Sequence, residues 1–163
     1  MLIAILSDSH DNIWKLDCAL ALMSDVDVLI HCGDLCSPFV VKKLGEVFDR
    51  RPVHIVWGNN DGDVRLICQI ASQYEKMFLH GALAQLEIDC VRIAVNHYPE
   101  IAWGLAASGA FDLVCYGHDH TVHHSLVGDC LLLNPGELMG MYGQSSYALY
   151  DTDSREAEII EVP

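Results

Sequence analysis

The sequence predicts an α/β protein in which two β-sheets pack face to face with helices on the outside. Its first half contains three units, each an apolar run, a polar turn and a helical pattern. Successive units of this kind form parallel strands, because each return along the sheet needs a helix. The second half consists of short segments that alternate apolar with polar residues, which is typical of antiparallel strands. We therefore expect a parallel core that is extended by antiparallel strands.

The first half predicts three strands and three helices. The strands cover residues 2–6, 27–32 and 52–57, and the helices cover 12–24, the residues from Ser37-Pro38 onward, and 64–74. Asn12 is a suitable N-cap for the first helix, and Ser37 followed by proline is a typical start for the second. The spacing of apolar residues in each helix predicts one face that packs on the core.

The second half predicts a hairpin, one further helix and several short strands. Segments 83–89 and 91–96 alternate across a turn near Asp89-Cys90, and Pro99 opens a helix that ends near Gly109. Further strands cover 111–116, 122–127, 131–133, 147–151 and 156–162, with a tight turn at Gly128-Asp129. We expect a single domain over residues 1–163, since neither an internal repeat nor a linker interrupts the pattern.

Composition and charge limit the class of function. Nine Lys and Arg stand against 23 Asp and Glu, which gives a formal net charge of −14. This balance argues against a protein that binds duplex nucleic acid, because such proteins use clustered basic residues to neutralise phosphates. No apolar run approaches the roughly 18 residues of a membrane helix, and a basic secretory signal region is absent, so we expect a cytoplasmic protein without a membrane partner. Nothing in the sequence excludes a homo-oligomer.

The seven cysteines show no paired framework. Most of them lie inside apolar segments, so we expect reduced residues of the core, as in a cytosolic protein. Cys32 and Cys36 lie close together, but no second pair of Cys or His follows at a matching spacing. This absence argues against a structural zinc site.

Residue types that bind metals follow five of the predicted strands. They are Asp8 with His10, Asp34, Asn59, His97, and His118 with His120. In open α/β sheets ligands bind beyond the carboxyl ends of the strands, and extended residues two apart point the same way. For the first segment alone, a helix cap beside a loop histidine is the simpler interpretation. Repetition of the same design at later strands favours a metal site.

The donor atoms of these side chains are oxygen and imidazole nitrogen, without a thiolate. Such a set suits manganese, iron, zinc or nickel rather than a closed structural zinc site. The seven candidates exceed the four ligands of one tetrahedral ion. The simplest interpretation of this number of ligands is therefore two metal ions that share a bridging ligand.

The order Asp-x-His, Gly-Asp, Gly-Asn-x-Asp, His and Gly-His-x-His resembles the calcineurin-like metallophosphoesterase superfamily. In size and order the chain is most similar to its small bacterial and archaeal phosphodiesterases and to the retromer subunit that shares their fold. The resemblance extends from Met1 to about Gly136. It implies the metallophosphoesterase fold, a four-layer α-β-β-α sandwich of two mixed sheets that some schemes class as α+β. It also implies a phosphodiesterase that acts on a small phosphoester.

The resemblance further implies a role for each residue that matches its motifs. The first metal would be held by Asp8, His10 and His120, the second by Asn59, His97 and His118, with Asp34 as the bridge. The implied cofactor is a pair of divalent ions. Manganese is the first choice, and nickel, iron, zinc and cobalt are the alternatives. The implied catalytic set is Asp8, Asp34, Asn59 and His97, and the nucleophile is a hydroxide that bridges the two ions.

Two motifs depart from the pattern of the superfamily. Asn60 stands where many members carry a histidine that protonates the leaving alcohol, and Asn cannot supply a proton at neutral pH. We therefore expect a preference for leaving groups that depart without an acid. The fourth motif reads His97-Tyr98-Pro99 instead of His-Gly-His, so a second histidine and a glycine are missing.

Two alternative functions remain open from the sequence. One is a phosphomonoesterase or nucleotidase that uses the same metals. The other is a non-enzymatic interaction module, as the resemblance to the retromer subunit implies. In that subunit the metal motifs are degraded, whereas all seven expected ligand types are present here.

Several other polar residues have simpler interpretations. We expect His31, His54 and His80 to be packed histidines with satisfied ring nitrogens rather than ligands. Asp61 is expected to cap the third helix or to orient a ligand. The turn Asn134-Pro135-Gly136 resembles the one that closes the site of the family from the far side.

Overall fold

The computed structural model describes residues 1–163 and contains eleven strands and four helices. The strands are β1 (Leu2–Leu6), β2 (Val28–His31), β3 (Val53–Ile55), β4 (Met77–Leu79), β5 (Leu83–Ile88), β6 (Val91–Asn96), β7 (Leu113–Cys115), β8 (His123–Val127), β9 (Cys130–Asn134), β10 (Ser146–Asp151) and β11 (Glu156–Glu161). The helices are α1 (Ile13–Ala21), α2 (Pro38–Val47), α3 (Val64–Ala71) and α4 (Pro99–Ala107). The three strand-turn-helix units of the first half are confirmed.

The strands form two mixed sheets. The six-stranded sheet has the order β11-β10-β1-β2-β3-β4, in which β1 to β4 are parallel and β10 and β11 pair antiparallel. The five-stranded sheet has the order β5-β6-β7-β9-β8, with β6, β7 and β9 parallel and an antiparallel strand at each edge. Strands in the centre of each sheet pair in parallel where a helix connects them, and strands at the edges pair antiparallel where a hairpin connects them.

The two sheets pack face to face, and the helices cover their outer surfaces. Ile5 of β1 and Ile93 of β6 are both buried in the cluster between the sheets. Leu6, the next residue along β1, points to the opposite face and belongs to the core under α1, α2 and α3. On the other sheet, Ala94 packs in a smaller cluster with Ala102 of α4. These layers confirm the predicted α-β-β-α sandwich.

Two of the predicted helix starts are confirmed by their caps. The side chain of Asn12 accepts a hydrogen bond from the backbone N–H of Lys15 at 3.2 Å. Ser37 accepts one from the backbone N–H of Phe39 at 3.4 Å, and Pro38 occupies the first helical position. Both helices thus begin within a few residues of candidate ligands. None of the helices combines the length and the apolar character that crossing a membrane would require.

The structure contains one strand that was not predicted, and it contradicts the expectation about the cysteines. Strand β4 was not predicted, because a strand of three residues shows no periodicity and is defined only by its pairing with β3. The cysteines are not all residues of the core, since Cys18, Cys68 and Cys90 are exposed. The first two lie on the solvent side of α1 and α3, and the third lies in the turn between β5 and β6.

Candidate metal centre

The seven candidate ligands follow β1, β2, β3, β6 and β7, whose carboxyl ends meet at one edge of the two sheets. Backbone hydrogen bonds join these ends, from Asp8 N–H to the carbonyl of Gly33 at 3.1 Å and from Gly117 N–H to that of His97 at 3.1 Å. The ring of His97 reaches across the sandwich and lies 2.8 Å from the carbonyl oxygen of Cys32 at the end of β2. The fold therefore brings residues that are far apart in the chain to one place.

Backbone conformation changes abruptly at these positions. Five of the candidates have positive φ, namely Asp8 (51°), His10 (40°), Asp34 (56°), His118 (75°) and His120 (58°). A left-handed conformation costs a residue with a Cβ roughly 1–2 kcal/mol. Strain of this kind clusters at functional sites, where the surrounding structure holds it in place. Here it turns the side chains out of the strand direction and toward a common point.

Two glycines of the motifs leave room for these side chains. A Cβ on Gly58 would lie 2.8 Å from Cγ of Asp34 and closer still to its Oδ1. A Cβ on Gly117 would lie 2.6 Å from Oδ2 of Asp8 and closer to Oγ of Ser7. Both contacts are shorter than real Cβ atoms make. Glycine is therefore required at these positions by the close approach of the candidate ligands.

The first group of candidates surrounds a buried carboxylate, that of Asp8. Its Oδ2 accepts hydrogen bonds from the hydroxyl of Ser7 at 2.6 Å and from the backbone N–H of His118 at 3.0 Å. Its Oδ1 has no hydrogen-bond partner, and neither does Nε2 of His10. Oδ1 lies 3.4 Å from Nε2 of His120 and 3.7 Å from Nε2 of His10. Unpaired buried polar atoms are costly, so these atoms require a bound partner.

Two of the histidines have their tautomer set by their neighbours. Nδ1 of His97 lies 2.8 Å from the carbonyl oxygen of Cys32, and Nδ1 of His120 lies 2.7 Å from Oε2 of Glu137. A carbonyl or carboxylate oxygen only accepts, so each Nδ1 carries the proton and each Nε2 of the neutral ring carries a lone pair. This is the arrangement that metal-binding histidines usually adopt.

A second carboxylate, that of Asp34, lies between two histidines. Its Oδ2 is 3.5 Å from Nε2 of His10 and 3.4 Å from Nε2 of His97. Oδ1 of Asn59 lies 3.1 Å from Nε2 of His97 and 2.8 Å from Nδ1 of His118. Asn59 and His118 are exposed, whereas Asp34 and His97 are buried. The centre is thus deep on one side and open on the other.

The residues present fit divalent ions. Ligand atoms of Asp8, His10 and His120 all lie within 4.8 Å of one another, and so do those of Asp8, Asp34 and His97. In both groups the lone pairs of imidazole nitrogens face carboxylate oxygens. Such acceptors repel one another unless a cation lies between them, and imidazole with carboxylate is a common donor set for transition metals.

The carboxylates of the centre remain ionised. Burial by itself raises the pKa of Asp8 and of Asp34, but the neighbouring imidazole rings of His10 and His97 outweigh it and hold each pKa below its ordinary value. The neighbouring carboxylate of Asp8 raises the pKa of His10. Burial lowers the pKa of His97, but the neighbouring Asp34 more than reverses this and raises it. Two negative charges in a buried place are attractive to cations.

Asp61 holds the loops that carry the ligands. Its carboxylate accepts backbone hydrogen bonds from Asp34 at 3.2 Å, Cys36 at 2.8 Å and Gly58 at 2.7 Å. The expectation that it caps the third helix was wrong, because Asp63 is the N-cap of α3. The alternative expectation, that it orients a ligand, agrees with its contacts.

The two departures from the family motifs have clear positions. The side-chain amide of Asn60 donates to Oδ2 of Asp34 at 2.7 Å, and its backbone N–H donates to Oδ1 at 2.8 Å. The ring of Tyr98 packs against those of His97 and His118, with centroid distances of 5.2 and 5.1 Å. Asn60 therefore binds the carboxylate of Asp34, and Tyr98 packs against two of the candidate histidines.

The three histidines that were expected to be packed are not among the groups of side chains that could hold a metal ion. His31 is buried, its Nδ1 accepts from the backbone N–H of Gly33 at 3.3 Å, and its Nε2 lies 3.0 Å from Oγ of Ser9. Burial lowers its pKa to about 4. His54 and His80 are hydrogen-bonded to each other at 2.9 Å. The interpretation as a packed and satisfied histidine is confirmed for His31, whereas His54 and His80 are half-buried and each has one ring nitrogen in a hydrogen bond.

Ser7 and Glu137 are two of the residues that contact the candidate ligands and that sequence reasoning missed. Ser7 donates to Asp8, and Glu137, which is 1% exposed, binds the ring of His120. An available signal for Glu137 was a lone acidic residue in an otherwise apolar segment directly after the turn Asn134-Pro135-Gly136. The sequence offered no comparable signal for Ser7.

Residues 1–155 match the family described as the calcineurin-like phosphoesterase superfamily domain. The chain belongs to this superfamily. Membership confirms the resemblance that the motifs suggested, and with it the prediction of a hydrolase that acts on phosphoric ester bonds.

Comparison with individual proteins agrees with the family. A phosphodiesterase of Methanocaldococcus jannaschii is 31% identical over 163 residues, which cover 96% of each chain. The solved structure of an archaeal phosphodiesterase has a TM-score of 0.91 and 29% identity, and the match covers 99% of this chain and 100% of that one. The structure of vacuolar protein sorting 29 from Cryptosporidium parvum has a TM-score of 0.69 and 17% identity over 98% of this chain and 95% of that one. This last likeness concerns the fold alone.

Proposed function

We propose that the chain is a metal-dependent phosphodiesterase with two divalent ions in its centre. The first ion would be held by Asp8, His10 and His120, the second by Asn59, His97 and His118, with Asp34 as the bridge. The observation that carries the proposal is the position of Asp34. One of its oxygens lies 3.5 Å from Nε2 of His10 and 3.4 Å from Nε2 of His97, between a ligand of each proposed ion.

The proposed centre would bind an anionic ester because its ligands leave it with a net positive charge. When bound, two divalent ions supply an activated water as nucleophile and positive charge for the phosphate oxygens. Asp8 and Asp34, the two carboxylates in the ligand set, offset only part of the charge of two such ions, so the centre attracts a phosphate. Asn59 and His118 lie on the exposed side, where a substrate can approach.

Similarity to a phosphodiesterase favours a diester as the substrate. The phosphodiesterase of Methanocaldococcus jannaschii is similar over nearly the whole of both chains. The side chain of Asn60 is engaged with Asp34 and cannot act as an acid, so an activated leaving group, which needs none, is favoured in either class of ester. Manganese is the first ion to test, followed by nickel, iron, zinc and cobalt.

The test is hydrolysis by the protein loaded with Mn²⁺. We expect bis(para-nitrophenyl) phosphate to be hydrolysed with a higher kcat/KM than the monoester para-nitrophenyl phosphate. Asp34→Asn should lower the rate by more than about 100-fold, since even residues that only support a ligand contribute 10–100-fold. The variant should retain the fold, as measured by circular dichroism.

Asp129→Asn in the turn between β8 and β9 is the matched control, because it removes the same charge away from the centre. Full activity of Asp34→Asn would exclude a bridging role. A higher kcat/KM for the monoester would favour the phosphomonoesterase. Stoichiometric metal without hydrolysis of any ester would favour an interaction module.

A further inference from the structure

Glu137 lies between a candidate metal ligand and a surface turn. Its Oε2 is 2.7 Å from Nδ1 of His120, while its Oε1 accepts from the backbone N–H groups of Tyr142 at 2.6 Å and Gly143 at 2.7 Å. The side chain is buried, with 1% of the residue exposed. Both carboxylate oxygens are thus occupied, one by the histidine ring and the other by the turn.

The segment that carries Glu137 is fixed to the end of β1. The backbone N–H of Leu138 donates to the carbonyl of Ser7 at 3.0 Å, and that of Met139 donates to the carbonyl of Asp8 at 3.0 Å. Glu137 therefore holds the ring of His120 in a fixed position relative to Asp8. The ring nitrogen Nε2 of His120 consequently remains 3.4 Å from Oδ1 of Asp8, the atom without a hydrogen-bond partner.

The turn that Glu137 holds forms one wall beside the centre. The ring of Tyr142 lies edge-on against that of His120, with a centroid distance of 5.3 Å. A cavity of about 310 Å³ adjoins them and is also lined by Val122 and Gln144. Tyr142 itself is 74% exposed, so few contacts other than those to Glu137 and His120 hold it in place.

We propose that Glu137 is a positioning residue that couples metal binding at His120 to the order of the turn at residues 140–144. The inference rests on the proposed function and adds a residue that acts through a ligand. A carboxylate that accepts the Nδ1 proton fixes the tautomer and orientation of a metal-binding histidine. Because the same carboxylate also holds the turn, metal binding and turn order stabilise each other by the same free energy.

The coupling is tested by measuring Mn²⁺ affinity and hydrogen exchange, without a substrate. We expect Glu137→Gln to weaken Mn²⁺ binding by about 10- to 100-fold in titration calorimetry. Glutamine has one acceptor oxygen in place of two, so it cannot satisfy both the ring and the turn. In the unmutated protein, Mn²⁺ should slow amide exchange in the peptide 139–145, and the variant should lose this effect.

Glu161→Gln is the matched control, because Glu161 lines the same cavity and makes no hydrogen bond to His120. Its Mn²⁺ affinity should equal that of the unmutated protein. Unchanged Mn²⁺ affinity in Glu137→Gln would overturn the inference and leave the proposed function standing. So would a slowing of exchange by Mn²⁺ in the variant as large as in the unmutated protein, since the carboxylate of Glu137 would then not be what couples the turn to the metal.

The unmutated protein alone decides the question if Glu137→Gln does not fold. Slower exchange of the peptide 139–145 on addition of Mn²⁺ supports the coupling, and equal exchange with and without Mn²⁺ overturns it. Failure of the unmutated protein to bind Mn²⁺ or any of the other four ions named above would overturn the proposed function and this inference together.

Discussion

Asn60 is the residue at which the chain departs most clearly in chemistry from its family motif. Its side-chain amide donates to Oδ2 of Asp34 at 2.7 Å. It therefore steadies the proposed bridging carboxylate instead of offering a proton to the leaving alcohol. A leaving group with a low pKa departs as an anion and needs no acid, whereas an alkoxide does.

This residue predicts the dependence of the rate on the leaving group. We expect the Mn²⁺-loaded protein to hydrolyse an aryl phosphodiester much faster than an alkyl phosphodiester, because no histidine protonates the alkoxide. The measurement is kcat/KM for a series of diesters of graded leaving-group pKa. Equal rates for aryl and alkyl diesters would show that another group supplies the proton.

The candidate ligands could be predicted from the sequence because each follows an apolar run. Asp8, Asp34 and His97 lie within three residues of the ends of β1, β2 and β6. The residues that form hydrogen bonds to the candidate ligands could not be predicted in this way. Glu137 and His120 are 17 positions apart, and only the folded chain brings their side chains together. Roles of this kind depend on tertiary contacts, which periodicity does not reveal.

At the scale of elements, the ends of the parallel strands are held by close backbone approach. Gly117 follows β7, and its Cα faces the side chains of Ser7 and Asp8 at the end of β1. A methyl group at this position would displace the buried carboxylate of Asp8. The junction between the two sheets is therefore also part of the metal centre.

Gly117→Ala should affect stability and metal binding together. We expect a loss of about 1–3 kcal/mol in the free energy of unfolding, from overpacking at a buried position. Weaker Mn²⁺ binding should accompany it, because Asp8 is displaced. Urea denaturation and titration calorimetry measure the two effects.

Gly104→Ala is the control, since Gly104 is an exposed residue of α4 with nothing within 4 Å of an added Cβ. There alanine should stabilise the protein by about 0.5–1 kcal/mol, because glycine is unfavourable inside a helix. If Gly117→Ala were as stable and bound Mn²⁺ as tightly as the unmutated protein, close approach at this junction would not be required.

Helices whose ends are set by local capping residues were predicted from the sequence. The strand that is defined only by its pairing with a neighbouring strand was missed. Asn12 and Ser37 cap the helices that their sequences indicated. Strand β4 has only three residues and exists because β3 offers it a parallel partner. Asp61 was assigned in part to a helix end, whereas its three backbone contacts lie in loops that only the folded sheet brings together.

At the scale of the whole molecule, the two mixed sheets bring strand ends from both halves of the chain to one edge. β1, β2 and β3 contribute Asp8, His10, Asp34 and Asn59, while β6 and β7 contribute His97, His118 and His120. Neither sheet alone supplies a complete set of ligands for two ions. The face-to-face packing of the sheets is therefore what the proposed dinuclear centre depends on.

The most direct test of this account is anomalous diffraction from a crystal soaked in Mn²⁺. We expect two manganese ions about 3.5–4 Å apart. One should lie among Asp8, His10 and His120, the other among Asn59, His97 and His118, with the carboxylate of Asp34 between them. A map without manganese at this edge, or with these side chains turned away from the ions, would contradict the account.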